Sequence, residues 1–257
     1  MIKAAIILLL FLCLPAQAFQ LNGGVERQEI LKMNTVSDNT SGLGVSDAKI
    51  AIPSKGYTTH TDSSGLFELP PNLSPPFVLS VNKKGYEPFS LTVKSYGDAP
   101  FNLMITKNSA AKVAIEADTF HLGDNSYSDK SANAGDFRSR SIGSLYEKSF
   151  FVKALAPSEN VHLVIGSLIG VDTKEARRLG QTRVTDAYSS SVKVFVNSNQ
   201  VANLKINGDN QKINIPKTFL RQNAKNIIKI VAGINQTQQN YIDYDDFEFT
   251  NLFLEYK

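Results

Sequence analysis

The sequence has no tryptophan, one cysteine, three histidines and three methionines in 257 residues. A lone cysteine, Cys13, cannot close an intramolecular disulfide, so stability has to come from packing or from a metal. His60, His121 and His162 stand in no HExxH motif and in no pair with metal-ligand spacing, and there is no GxSxG elbow, P-loop or cysteine nucleophile. Charge of one sign is also missing, with 27 Lys and Arg against 24 Asp and Glu. Nucleic-acid binding needs clustered cations to displace counterions, and the one dense basic stretch, residues 174–183, reads as a solvated loop; no nucleic-acid partner is expected. Long hydrophobic runs are absent except at the start, where residues 4–14 fall short of the roughly 20 that a spanning helix requires.

That opening run has the layout of a secretory signal. Lys3 supplies a positive n-region, Ala4 to Leu14 the apolar core, and Ala16, Gln17 and Ala18 a small-residue cleavage site, so residues 1–18 read as a signal peptide cut after Ala18. The mature chain is then expected in the periplasm or secreted, with no transmembrane segment. A lipoprotein alternative would acylate Cys13, although Leu12 before it is larger than such sites favour.

From Leu43 onward, apolar residues recur with period two in short runs broken by Gly, Pro, Asn, Asp and Ser, the pattern of an all-β protein. Phe77, Leu79 and Val81, then Phe89, Leu91 and Val93, then Phe101, Leu103 and Ile105, and later Val192, Val194 and Val196, should each face a core. The polar stretch 34–42 reads as a loop, and Thr106 to Ala111 as a short boundary, which gives two β-sandwich domains, 19–107 and 112–257.

In the first, a loop leads into an alanine-containing strand, Thr61, Asp62 and Gly65 form a turn, Phe67 opens the next strand, and Gly85 precedes Tyr86. Asp62 can accept amides of its own turn, Gly65 tolerates positive φ, and Tyr86 can bury its ring and leave its hydroxyl at an edge. This order resembles the carboxypeptidase regulatory-like domain. The resemblance implies a seven-stranded, transthyretin-like sandwich, an accessory module without catalytic residues.

The second stretch supplies eight or so short strands over residues 112–257, which suits a jelly roll. Asn197 before a turn, Ile215 and Pro216 before a helical turn, Asn226 leading an apolar strand, and a closing strand after an acidic loop at 243–248 resemble the galactose-binding-like jelly roll of carbohydrate-binding modules. Where that family places Gly before the strand-leading Asn, Asn223 and Ala224 stand here, and Asn is the next most tolerant of left-handed geometry. Many such jelly rolls hold a structural Ca²⁺ between an early loop and the last strand. Asp124, Asn125, Asp246 and Glu248 offer the oxygens that calcium takes, so they are the expected metal ligands. In the last strand Phe247 and Phe249 share one parity, while Leu252, Leu254 and Tyr256 share the other. A β-bulge near Thr250 and Asn251 is therefore expected.

Catalysis is not expected. A glycosidase needs two acids across a cleft in opposite environments, and the contiguous acids of DYDDFEF offer none. Sugar recognition sets an aromatic plate against the ring with polar groups for the hydroxyls. Tyr127, Tyr188, Tyr241 and Tyr244 are the plates available, and Arg177, Arg178 and Arg183 could select an acidic glycan. The expected partner is a glycan; the alternative is a structural or adaptor role toward a cell-envelope protein.

Overall fold

The computed structural model describes residues 33–97, 99–133 and 137–257. The expected signal peptide and its cleavage site would fall on residues 1–18, outside the described residues. The protein is all-β, and its described residues form fifteen strands and one short α-helix. Among the described residues no helix is long and apolar enough to cross a membrane.

Seven strands build the first sandwich: β1 (Asn34–Asp38), β2 (Lys49–Ile52), β3 (Tyr57–His60), β4 (Leu66–Phe67), β5 (Phe77–Asn82), β6 (Phe89–Val93) and β7 (Asn102–Ile105). They form a three-stranded sheet, β4-β1-β7, and a four-stranded sheet, β3-β2-β5-β6. The alternating residues do face a core, in which Phe77, Leu79, Val81, Leu103 and Ile105 pack with Val36, Ile50 and Ile52. The turn at Asp62 works as its residues require: Asp62 Oδ1 accepts the amides of Ser64 and Leu66, both at 2.8 Å. Gly65 has φ of 81°, and a Cβ there would stand 2.5 Å from the Val36 carbonyl oxygen.

The reading of 34–42 as a loop is overturned by β1. Only Val36 is apolar in NTVSD, so no period-two hydrophobic signal exists; the strand is held by buried polar side chains instead. Asn34 donates to the Phe67 carbonyl and accepts from the Phe101 amide, while Asp38 accepts the amides of Thr40 and Ser41. A strand stabilised through side-chain amide and carboxylate groups leaves little trace in a hydropathy pattern.

Residues 106–111 lead into eight further strands: β8 (Lys112–Leu122), β9 (Leu145–Val152), β10 (Val161–Ile169), β11 (Val192–Val196), β12 (Asn199–Leu204), β13 (Gly208–Ile215), β14 (Ala224–Val231) and β15 (Phe247–Tyr256). Two antiparallel sheets result, ordered β13-β10-β15-β8 and β12-β11-β14-β9. Their inner faces enclose a second, separate apolar cluster. The bulge is where parity required it: the β15–β8 register shifts between Thr250 and Leu252, and Asn251 adopts φ of 59°. Asn223 takes φ of 52°, the left-handed geometry expected of it. The basic stretch is only partly a loop. Thr173 accepts the Ala176 amide and caps a short helix, α1 (Lys174–Arg178), with Glu175 in its first turn and Arg177 and Arg178 in its last, as the helix dipole favours.

The sandwiches meet face to face, β6 lying against β10, β13 and β15. This contact explains why β10 is buried on both faces. Gly166 is obligatory there, because a Cβ would come within 2.6 Å of Ser90 Oγ and 2.9 Å of the Thr250 carbonyl oxygen.

Candidate functional site

Three connections converge at one end of the second sandwich. Leu122 at the end of β8 pairs with Phe247 at the start of β15, and Ile169 at the end of β10 pairs with Glu248. The connections after β8, β10 and β14 therefore emerge on the same rim. Isolated bridges join Thr173 to Ser189, Ser189 to Asn235, and Ile234 to Tyr244, and Asn235 donates to the Lys130 carbonyl at 2.8 Å. All seven tyrosines and arginines singled out as sugar contacts lie on these three connections.

The acidic segment is buried in that rim. Asp243, Asp245, Asp246 and Glu248 are each no more than 2% exposed. Asp246 Oδ1 accepts from His121 Nε2 at 2.6 Å, and its carboxylate also takes the Asn125 amide at 3.1 Å and Asn133 Nδ2 at 3.0 Å. His121 Nδ1 faces the Ser139 carbonyl at 2.5 Å. Both ring nitrogens thus face oxygen atoms, an arrangement that favours the protonated ring. Burial alone would lower its pKa, but the hydrogen bonds to Asp246 and Ser139 outweigh burial and raise it. Asp243 accepts from Ser131 Oγ at 2.8 Å, the Ala132 amide at 3.3 Å and Asn235 Nδ2 at 2.8 Å.

These bonds bear on calcium. Asp124 accepts the Ser126 and Tyr244 amides, and Asn125 Oδ1 accepts the Ser141 amide, so three of the four expected ligands present their oxygens to N–H donors. A cation in that position would face partial positive charge. Among the described residues no group of three or more His, Cys, Asp or Glu is arranged to hold a metal ion. Of the four, Glu248 alone has neither side-chain oxygen hydrogen-bonded among the described residues.

Two acids have few partners. Asp245 Oδ2 accepts Ser189 Oγ at 2.6 Å and the Asp172 amide at 3.2 Å, while its Oδ1 has no hydrogen bond among the described residues. Burial first, and the neighbouring Asp172 carboxylate second, push its pKa well above the ordinary range. Glu248, across the strand pair from His121, has neither oxygen hydrogen-bonded among the described residues, and burial pushes it up to about 7 against the pull of His121. Both carboxyls are buried beneath the loops.

The surface candidates separate into three groups. Tyr188 lies under cations, with Lys174 Nζ at 4.2 Å and the Arg177 guanidinium at 5.6 Å from its ring centre, and Arg177 also donates to the Ala187 carbonyl. Tyr244 is half-buried on the core. Tyr127 and Tyr241 are 37% and 50% exposed, and Arg178 and Arg183 are exposed. Tyr241 borders a hollow of about 380 Å³ with Ile242, Gln238, Gln239 and Asn240. Those amides were not singled out from the sequence, although the run QTQQN at 236–240 displays them plainly. Arg178 lies instead on a separate groove of about 660 Å³ beside β12 and β13, with Lys205 and Lys212.

No protein-family model matches the chain, and no curated protein matches it. Among solved structures it is similar to a glycosyl hydrolase family 2 member from Bacteroides cellulosilyticus, at 12% identity and a TM-score of 0.31, over 57% of this chain and 21% of that one. It is also similar to a β-D-glucuronidase from Dictyoglomus thermophilum, at 12% identity and a TM-score of 0.29, over 58% of this chain and 29% of that one. The chain thus spans under a third of either enzyme, and likeness of this degree says nothing about what it binds.

Proposed function

We propose that the protein is an exported, non-catalytic carbohydrate-binding protein whose jelly roll contacts sugar through its loop rim, with the first sandwich as an accessory module. The observation that carries this reading is Tyr241, half exposed and flanked by Ile242, with the amides of Gln238, Gln239 and Asn240 around one hollow. An aromatic face for the apolar side of a pyranose, ringed by groups that both donate and accept, is what sugar recognition requires. The buried acids serve as the clasp that holds the rim. A glycan array with the full mature chain tests the reading. Specific binding that Tyr241→Ala lowers by about tenfold, the effect of losing an aromatic anchor, supports it; a blank array overturns it.

A second reading, an adaptor toward a cell-envelope protein, is favoured by one observation. The open edges of β8 and β9 border an apolar hollow of about 310 Å³ at which Val113 and Phe151 are 42% and 57% exposed. A blank array together with a specific envelope protein cross-linked through position 151 supports the adaptor instead.

A further inference from the structure

The groove beside Arg178 lies at the flank where both sheets of the jelly roll end. β12 is the edge strand of one sheet and β13 the edge strand of the other, and Glu175 and Arg178 of α1, with Leu179 that follows it, also line the groove. Its charge is one-sided, since Arg178, Lys205 and Lys212 face it against the single carboxylate of Glu175. Two of the cations are paired, one of them loosely. Lys205 pairs with Glu175 at 3.2 Å with both side chains about half exposed, whereas Lys212, 44% exposed, is held at 2.7 Å by Glu255, whose side chain is 12% exposed. A solvated pair such as Lys205–Glu175 contributes little and reopens readily for a competing anion. Arg178 is exposed and offers a planar fork suited to a carboxylate.

The remaining lining favours a sugar over a peptide. Asn203, Gln211 and Asn214 bring amide side chains to the groove. Asn203 Oδ1 already accepts from Ser191 and Gln200, which leaves its N–H₂ to offer, while Gln211 donates through Nε2 to the Ile206 carbonyl and keeps its oxygen as an acceptor. Donor and acceptor side by side match hydroxyls. Leu179 and Ile206, 55% and 41% exposed, add an apolar patch for the face of a ring.

We propose that this groove binds an anionic oligosaccharide, with Arg178 clamping the carboxylate of a uronic acid residue and Lys205 and Lys212 supplying the positive field around it. The inference deepens the carbohydrate-binding reading and rests on it, but names a sugar class and a surface separate from Tyr241. Titration calorimetry of the full mature chain with a galacturonic acid trisaccharide, the matching galactose trisaccharide and a glutamate hexapeptide tests it. The uronate should bind and the neutral trisaccharide should bind at least about tenfold more weakly, with the affinity for uronate falling severalfold between about 50 and about 300 mM salt. Arg178→Ala, and separately the Lys205→Ala, Lys212→Ala pair, should each weaken uronate by about tenfold, with Arg178→Lys recovering only part of it. Tyr241→Ala should leave uronate unchanged while removing neutral-glycan binding at the rim. Glycan binding that Tyr241→Ala leaves intact, with uronate held through Arg178, therefore sinks the rim and spares the groove. No heat with uronate, equal affinity for the hexapeptide, or loss through Tyr241→Ala alone overturns the groove.

Discussion

Asp209 on β13 accepts the main-chain N–H of Thr92 on β6 at 2.9 Å, so a carboxylate of the second sandwich completes the hydrogen bonding of a strand in the first. The same carboxylate takes the hydroxyls of Thr92 and Ser167, and Ser167 is within 3.0 Å of Ser90. Three donors converge on one side chain at the face where the sheets stack. Asp209→Ala strands all three in a partly buried seam and should lower the unfolding free energy in urea by about 2–3 kcal/mol. Asp209→Asn, which keeps an acceptor, should lose less than half of that. Equal losses in the two variants would mean that the seam does not depend on these bonds.

Asn226 is fully buried at the start of β14 and makes every bond its amide can. Its oxygen accepts from the Arg221 amide at 2.7 Å and Asn197 Nδ2 at 2.6 Å, and its N–H₂ donates to the carbonyls of Arg221 and Ala224. Asn197 in turn accepts the Ile227 amide and donates to the Phe219 carbonyl, which fixes the 3-10 turn after β13. Asn226→Ala should cost about 3 kcal/mol or more, since a shared network leaves several buried groups unpaired at once. Asn226→Asp should cost as much, because the carboxylate loses both donors. Thermal melts of the two variants decide this, and a loss below about 1 kcal/mol for either would show that water takes over the bonds.

Both asparagines stood out in the sequence, and this shows what could be read there. Strands whose cores are apolar announce themselves through alternation, as Val192, Val194 and Val196 did, and the change of parity after Phe249 was enough to place the bulge at Asn251. Strand β1 was hidden because Asn34 and Asp38 do the work of apolar residues. The inward burial of the acids was also hidden. DYDDFEF looks like a solvated loop until His121, Ser131, Asn133 and Asn235, up to 125 residues distant, supply its donors. Composition carries no record of such distant partners.

Calcium offers a direct check on that clasp. With the oxygens of Asp124, Asn125 and Asp246 turned to N–H groups, the folded state gains nothing from the ion, so the melting temperature should be the same in excess EGTA and in millimolar calcium. A melting temperature that falls in EGTA, and is restored by calcium in the wild type but not in Asp246→Asn, would return the metal to this rim.

The last expectation concerns pH. Glu248 is held at about 7, against 4.5 for a free glutamate, so between these values the folded chain keeps a proton that the unfolded chain releases. Stability must therefore fall as pH rises through that window, on the order of 3 kcal/mol in all for this one buried group. His121 has a raised pKa, so the stability its imidazolium supplies is complete below the ordinary histidine value and drains away as pH climbs through the folded one. Asp245, raised by burial and by Asp172, pulls in the same direction. The melting temperature should accordingly decline from about pH 5 to about pH 8, against the usual trend for proteins stabilised by ion-paired carboxylates. Glu248→Gln, which keeps the shape and removes the charge, should flatten much of that slope and melt above the wild type at the alkaline end. A slope unchanged in this variant would show that Glu248 ionises without cost, through water reaching its two oxygens.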